Sequence, residues 1–321
     1  MPTHIYVHPY AMPSRHLHSD YAMRWPFADP GPILGPVLGG VILNYLQWRW
    51  IFYVNIPICF VAVILAVWGL PKDGAPNPSQ KLDLVGLTLL SPAIVLMVYG
   101  LTKVSSNHGF FHSSVIVPMV IGLFLLTVFC LYVLRKAHHP VIDIRIFKSL
   151  PFTASSGLLF LAGLSSYGGM LLLPLYYQQV RGDSVLASGL LLIPQGVGML
   201  LTRSLAGRLT DTIGSRWVVL TGTLLTLLGT LPFALCGPHI NEVLLAVALV
   251  VRGPGLGGVL LPVMAAAYTG LSKEQIPHAS SATRILQQIG GAFGASVLAV
   301  ILQNQIAGQS VINVAASVIS V

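Results

Sequence analysis

Apolar residues are gathered along this chain into long runs separated by short polar stretches. Nine runs are candidates to cross a membrane: 31–46, 51–70, 84–102, 113–134, 153–177, 185–204, 216–236, 243–269 and 284–306. About 20 consecutive apolar residues are needed for a helix to cross a ~30 Å hydrocarbon core, and most of the runs meet that. The first is short and rich in Gly and Pro. Membrane β-strands would alternate apolar and polar residues over about ten positions, and no such alternation is present. The pattern therefore predicts an all-α polytopic membrane protein of about nine transmembrane helices. A tenth run starts at Val311 and stops at Val321, too short to span.

Composition agrees with that pattern. Of 321 residues, 55% are hydrophobic and 8% charged, and the mean hydropathy is +0.80. Soluble domains carry roughly a quarter charged residues. A soluble enzyme, a nucleic-acid binder and a disulfide scaffold are thereby excluded. Cys59, Cys130 and Cys236 lie in or at the end of apolar runs, so buried free thiols are expected. Residues 1–30 contain His4, His8, His16 and His18 but no recurring metal-ligand spacing and no Cys partner. They are expected to form a disordered, non-homologous leader. No metal or cofactor is called for.

The net charge of +8 has a topological cause. Loops 71–83, 135–149, 203–216 and 272–284 hold Lys72, Lys81, Arg135, Lys136, Arg145, Lys148, Arg203, Arg208, Arg216, Lys273 and Arg284; the opposite loops hold Arg49, Lys103 and Arg181. Eleven against three places the first set in the cytoplasm. The first run then points outward, and Trp48, Trp50 and Tyr53 suit the outer interfacial belt.

The first run carries Gly31, Pro32, Gly35, Pro36, Gly39 and Gly40. Glycines 31, 35 and 39 share a helical face, which permits close approach of a neighbouring helix. The two prolines remove backbone donors and are expected to bend it locally. With Trp48-Arg49-Trp50-Ile51-Phe52 and Asn55-Ile56-Pro57 after it, this stretch resembles the antiporter motif of the major facilitator superfamily. The continuation is similar to that of the fourteen-helix drug:proton antiporter branch. A second match, Gly207, Arg208, Asp211, Gly214 and Arg216, resembles the superfamily's cytoplasmic-loop motif in its second-half copy. Its glycines would permit a tight turn, and Asp211 could accept from Arg208, Arg216 or a helix amino terminus. Residues from Arg252-Gly253-Pro254-Gly255 to Gln287-Gln288-Ile289-Gly290-Gly291 resemble the late helices and their connecting loop. Gly290, Gly291 and Gly294 make the ninth run the counterpart of the first.

The resemblance implies an incomplete major facilitator fold, entered at the family's fifth helix. Residues 31–70 would be the remnant of the N-terminal bundle, 84–134 two extra central helices, and 153–321 the C-terminal bundle with its last helix incomplete. It implies a multi-pass transporter of the plasma (inner) membrane, not an enzyme, that exports small amphipathic compounds or drugs by proton antiport. Its partners would be the lipid bilayer, a small lipophilic substrate and protons, with no nucleic acid. The alternative is a truncated non-transporting remnant or a membrane-embedded interaction subunit. No Asp or Glu lies in the middle of any run; Asp29, Asp83 and Glu242 are at run edges. That absence weighs against autonomous proton coupling by this chain.

Arg252 is the strong charge inside a run, about nine residues or roughly 13 Å from its outer end. It is either a substrate-path cation or a structural arginine facing carbonyls or the glutamines of neighbouring helices. Gln178, Gln179, Gln195, Gln287 and Gln288, with Tyr167 and Tyr176, either face a substrate path or bond helix to helix.

Overall fold

The computed structural model describes residues 31–69, 83–106, 111–135, 140–235, 241–272 and 274–319. The histidine-bearing leader, the 71–82 loop and Cys236 lie outside the described residues. The described elements are helical: α1 (Gly31–Tyr45), α2 (Trp50–Tyr53), α3 (Asn55–Gly69), α4 (Leu84–Ser106), α5 (Ser113–Arg135), a 3-10 turn (Ile144–Lys148), α6 (Leu150–Leu175) with a π-helical turn (Tyr176–Val180), α7 (Val185–Leu191), α8 (Ile193–Ile213), α9 (Ser215–Leu235), α10 (Glu242–Tyr268) and α11 (Ile276–Ile319). Among the described residues, eight stretches are long and apolar enough to cross a membrane, and the protein is a multi-pass membrane protein.

Four expectations are corrected. The first run yields α1, a helix of 15 residues, which rises only about 22 Å and falls short of the hydrocarbon core. The run at 185–204 breaks at Leu192 and continues as α8 to Ile213, so the expected 203–216 loop reduces to Gly214, whose φ is +88°. Helix persists there because polar residues outside the apolar core still satisfy i→i−4 bonds; only Gly214 adopts the left-handed conformation that reverses the chain. The loop expected over 272–284 ends early, since α11 starts at Ile276; Pro277 at its second position lacks a donor that the first turn does not use. Finally, Cys59 is exposed rather than buried, on a helix with no buried residue.

The described residues form two compact units. One holds Ile193–Pro262 with the first turn of α1; the other holds Gly35–Leu192 and the residues from Val263 onward. In the second unit, a core at one end of the helices joins Leu90 of α4, Phe129 and Val133 of α5, Ile142, Ile146, Phe152 of α6, Ala267 of α10, and Ala279 and Ala282 of α11. Ile142 and Ile146 thus draw a loop into the core. Its start is tied by Asp83, which accepts from Val141 N at 3.3 Å as well as from Gly86 N at 2.8 Å and Tyr132 Oη at 3.0 Å. Asp83 is the N-cap of α4, and its remaining lone pairs connect three segments.

In the first unit, α8, α9 and α10 meet through glycines. A Cβ at Gly198 would lie 2.6 Å from Val250 O, and one at Gly222 would lie 2.8 Å from Val259 Cγ2. Small residues substitute for the hydrophobic effect as the means of helix association in lipid, because they allow backbone-to-backbone contact.

Candidate functional site

Arg252 lies on α10 and is 4% exposed. Its Nη1 donates to Gln195 Oε1 of α8 at 2.7 Å, and its Nε donates to Thr230 Oγ1 of α9 at 3.3 Å. Thr230 can accept because its own hydroxyl proton goes to Thr226 O at 2.7 Å. The glycines explain how three helices come close enough. A Cβ at Gly229 would lie 2.7 Å from Arg252 Cβ, and one at Gly253 would overlap Gln195 O. The amide and the hydroxyl are neutral, so they solvate the guanidinium without cancelling its charge. The two acceptors fix the orientation of the planar guanidinium fork.

The cytoplasmic-loop motif occupies the end of α8 and the start of α9. Gly207 is buried inside the helix, whereas Arg208, Asp211, Gly214 and Arg216 are exposed. The tight turn therefore rests on Gly214 alone, and Gly207 serves packing. Asp211 sits in the last turn of α8, where the helix dipole disfavours a carboxylate.

In the second unit, a cavity of about 410 Å³ lies among α4, α6 and α11, lined by Val98, Tyr167, Met170, Leu171, Gln288, Gly291, Ala292 and Ala295. Two of the expected path residues, Tyr167 and Gln288, meet here. The wall is otherwise apolar, which suits a lipophilic guest with one or two hydrogen-bonding groups. Gly291 abuts the Tyr167 ring, with Cγ 2.8 Å from where a Cβ would stand.

The remaining expected residues are elsewhere. Gln287 lies under Gly163 of α6, whose missing Cβ leaves room for the Gln287 carbonyl. Tyr176, Gln178 and Gln179 occupy the π-helical turn, followed by the Arg181–Asp183 ion pair at 3.4 Å. They do not line the Tyr167–Gln288 cavity. The α1 motif also differs from expectation. A Cβ at Gly35 or Gly39 would meet nothing within 4 Å, whereas one at Gly40 would lie 3.2 Å from Leu186 Cα. The close approach of a neighbour thus uses Gly40, off the Gly31–Gly35–Gly39 face. Gly290 and Gly294, by contrast, abut the Phe160 and Leu164 carbonyls of α6.

Sequence reasoning did not single out Thr230 as an arginine partner, and a threonine in an apolar run carries no signal of it. It also left Asp83 as a run edge. The Asp83-to-Gly86 spacing at the start of an apolar run was a readable N-cap signal.

Comparison with known proteins adds an independent finding. Residues 30–295 match the family described as Major Facilitator Superfamily. The Multidrug resistance protein B homolog of Mycobacterium tuberculosis is 34% identical over 277 residues, covering 86% of this chain and 51% of that protein. The Multidrug transporter protein MdtP of Bacillus subtilis is 25% identical over 270 residues, covering 84% and 50%. Lincomycin resistance protein LmrB of the same species is 26% identical over 270 residues, covering 83% and 55%. The chain spans about half the length of the curated relatives it matches.

Proposed function

The chain belongs to the Major Facilitator Superfamily, and on that premise we propose that it serves the export of small amphipathic compounds by proton antiport across the plasma membrane. The observation that carries this reading is the Arg252 cluster. A cation held at 4% exposure inside an apolar helix is costly, and in membrane transporters such groups mark substrate or ion pathways. Its Gln195 partner fixes the fork rather than contacting substrate. Tyr167 and Gln288 supply the apolar cavity with polar edges that a lipophilic guest requires. The names of the relatives, two of them multidrug proteins and one a lincomycin resistance protein, support the substrate class.

In this reading residues 31–70 belong to the N-terminal bundle, 84–134 form the inserted helix pair, and 153–321 belong to the C-terminal bundle. The eleven-to-three charge asymmetry supports a cytoplasmic position for Ser149 and Gly214. Acidic side chains among the described residues, Asp83, Asp143, Asp183, Asp211, Glu242 and Glu274, stand at helix ends or in loops. None of them stands in the middle of a described span.

The test is a chimera joining the part of the mycobacterial relative outside the matched region to residues 31–321. Cells expressing it should expel a lipophilic cationic dye in a protonophore-sensitive manner, and Arg252→Gln should lower the rate at least tenfold with normal membrane expression. Unchanged efflux in Arg252→Gln would reduce the arginine to a packing element.

A further inference from the structure

The segment from Pro140 to Ser149 between α5 and α6 is not a slack loop. Val141 N donates to Asp83, Val141 O is 3.0 Å from His278 Nδ1, and Asp143 Oδ1 accepts from Arg145 N at 3.0 Å. Ser149 N donates to Ile146 O at 3.1 Å, and Thr153 Oγ1 donates to Phe147 O at 2.6 Å. Ile142 and Ile146 are buried. The backbone is therefore fixed, and so are the places from which its outward side chains project.

Those outward side chains are of two kinds. Arg145 and Lys148 are exposed; Phe147 is 37% and Leu150 79% exposed. A 3-10 turn has three residues per turn and about 2 Å rise, so Arg145 and Lys148 eclipse on one face about 6 Å apart. Arg145 Nη2 also reaches Leu134 O at 3.5 Å, which brings this guanidinium to the end of α5 beside exposed Arg135. Asp143 keeps its charge, but among the described residues neither it nor Asp83 forms an ion pair with Arg145 or Lys148: Asp143 accepts from the Arg145 backbone, and Asp83 from Gly86, Tyr132 and Val141.

We propose that Arg145 and Lys148 form a clamp for the headgroup phosphate of an anionic phospholipid, with Phe147 and Leu150 resting on its acyl region. The juxtaposition is specific to that partner. A phosphate alone engages the cations but leaves Leu150 and the open edge of Phe147, whose ring otherwise packs on Phe152 at 4.9 Å, in water. A lipid supplies charge and hydrocarbon at the same level, where the ends of two spans already place this segment. The inference depends on membrane residence and not on transport, so it stands apart from the efflux reading.

The purified full chain in neutral detergent is titrated with phosphatidylglycerol or phosphatidylcholine, with retained lipid counted by native mass spectrometry. Hydrogen exchange of residues 144–150 is followed alongside. Each cation near an anionic surface is worth about fivefold in affinity, so phosphatidylglycerol should bind roughly thirtyfold more tightly. It should also slow exchange in the segment. Lys148→Gln should lose about fivefold, and Arg145→Gln with Lys148→Gln should reduce binding to the phosphatidylcholine level. Circular dichroism checks the fold, and if the double variant is misfolded the Lys148→Gln result decides. Equal affinity for the two lipids, protection that survives Lys148→Gln, or equal protection by inorganic phosphate would overturn the proposal.

Discussion

Arg252 of α10 and Gln195 of α8 are joined by a 2.7 Å hydrogen bond from guanidinium to side-chain carbonyl. They stand 57 positions apart in the chain, yet the bond orders both side chains in one membrane-embedded cluster. An arginine buried to this degree keeps its charge only if neighbouring groups replace water. Gln195 and Thr230 are two of those replacements.

Gln195→Leu should therefore destabilise the chain by roughly 1–2 kcal/mol, the range for a hydrogen bond to a charged group in a membrane protein. Thr230→Val should cost less, because its bond is longer, 3.3 Å against 2.7 Å. Denaturant unfolding in micelles measures both. A larger loss for Thr230→Val would reverse the assigned order of partners.

Asp211 stands exposed in the last turn of α8, where it gains nothing from its own helix dipole. Asp211→Asn should leave the stability of the chain within about 0.5 kcal/mol of the parent, as for a surface change. In the chimeric transporter it should slow efflux severely at normal expression. Normal efflux would make residues 207–216 an ordinary helix junction.

Two glycines of similar sequence context should behave oppositely. At Gly290 a Cβ would run into the Phe160 backbone, while at Gly35 it would meet nothing within 4 Å. Gly290→Ala should cost roughly 1–3 kcal/mol by overpacking. Gly35→Ala should be neutral or stabilising by up to about 1 kcal/mol, since Ala is the better helix former. Thermal unfolding of the two variants side by side gives the comparison, and equal effects would contradict the packing described.

The eleven-to-three charge asymmetry of the loops predicts which side of the membrane each faces. In a cysteine-free background, Ser149→Cys should be shielded from impermeant thiol reagents in intact cells and Gln179→Cys should label. Labelling of Ser149→Cys from outside would invert the topology.

The chain by itself should show no proton-coupled efflux, because no described span carries a carboxylate in its middle. Proteoliposomes holding the purified chain under an imposed pH gradient should neither move a lipophilic cation nor release protons when it is added. Saturable, gradient-dependent uptake would direct attention to other titratable groups, beginning with His112 just before the start of α5.

Much of this was legible in one dimension. Apolar run length decided the membrane class, because the hydrocarbon thickness sets a length that composition alone must fill. Family membership was legible because the resembling motifs are contiguous: residues 31–40, 48–57 and 207–216 are each ten residues long, about three helical turns. Arg252 announced itself as the charge inside an apolar run. Its partners did not, because Gln195 and Thr230 are ordinary polar residues until packing brings α8 and α9 against α10. The same holds for glycine. Gly35 and Gly290 share the signature of a small-residue face, and only a neighbouring backbone decides which of them is a contact. Tertiary structure also drew Ile142 and Ile146 out of a basic loop into the core, turning Arg145 and Lys148 outward together. Local spacing specifies what a residue can do; the helix that arrives beside it determines which of those things it does.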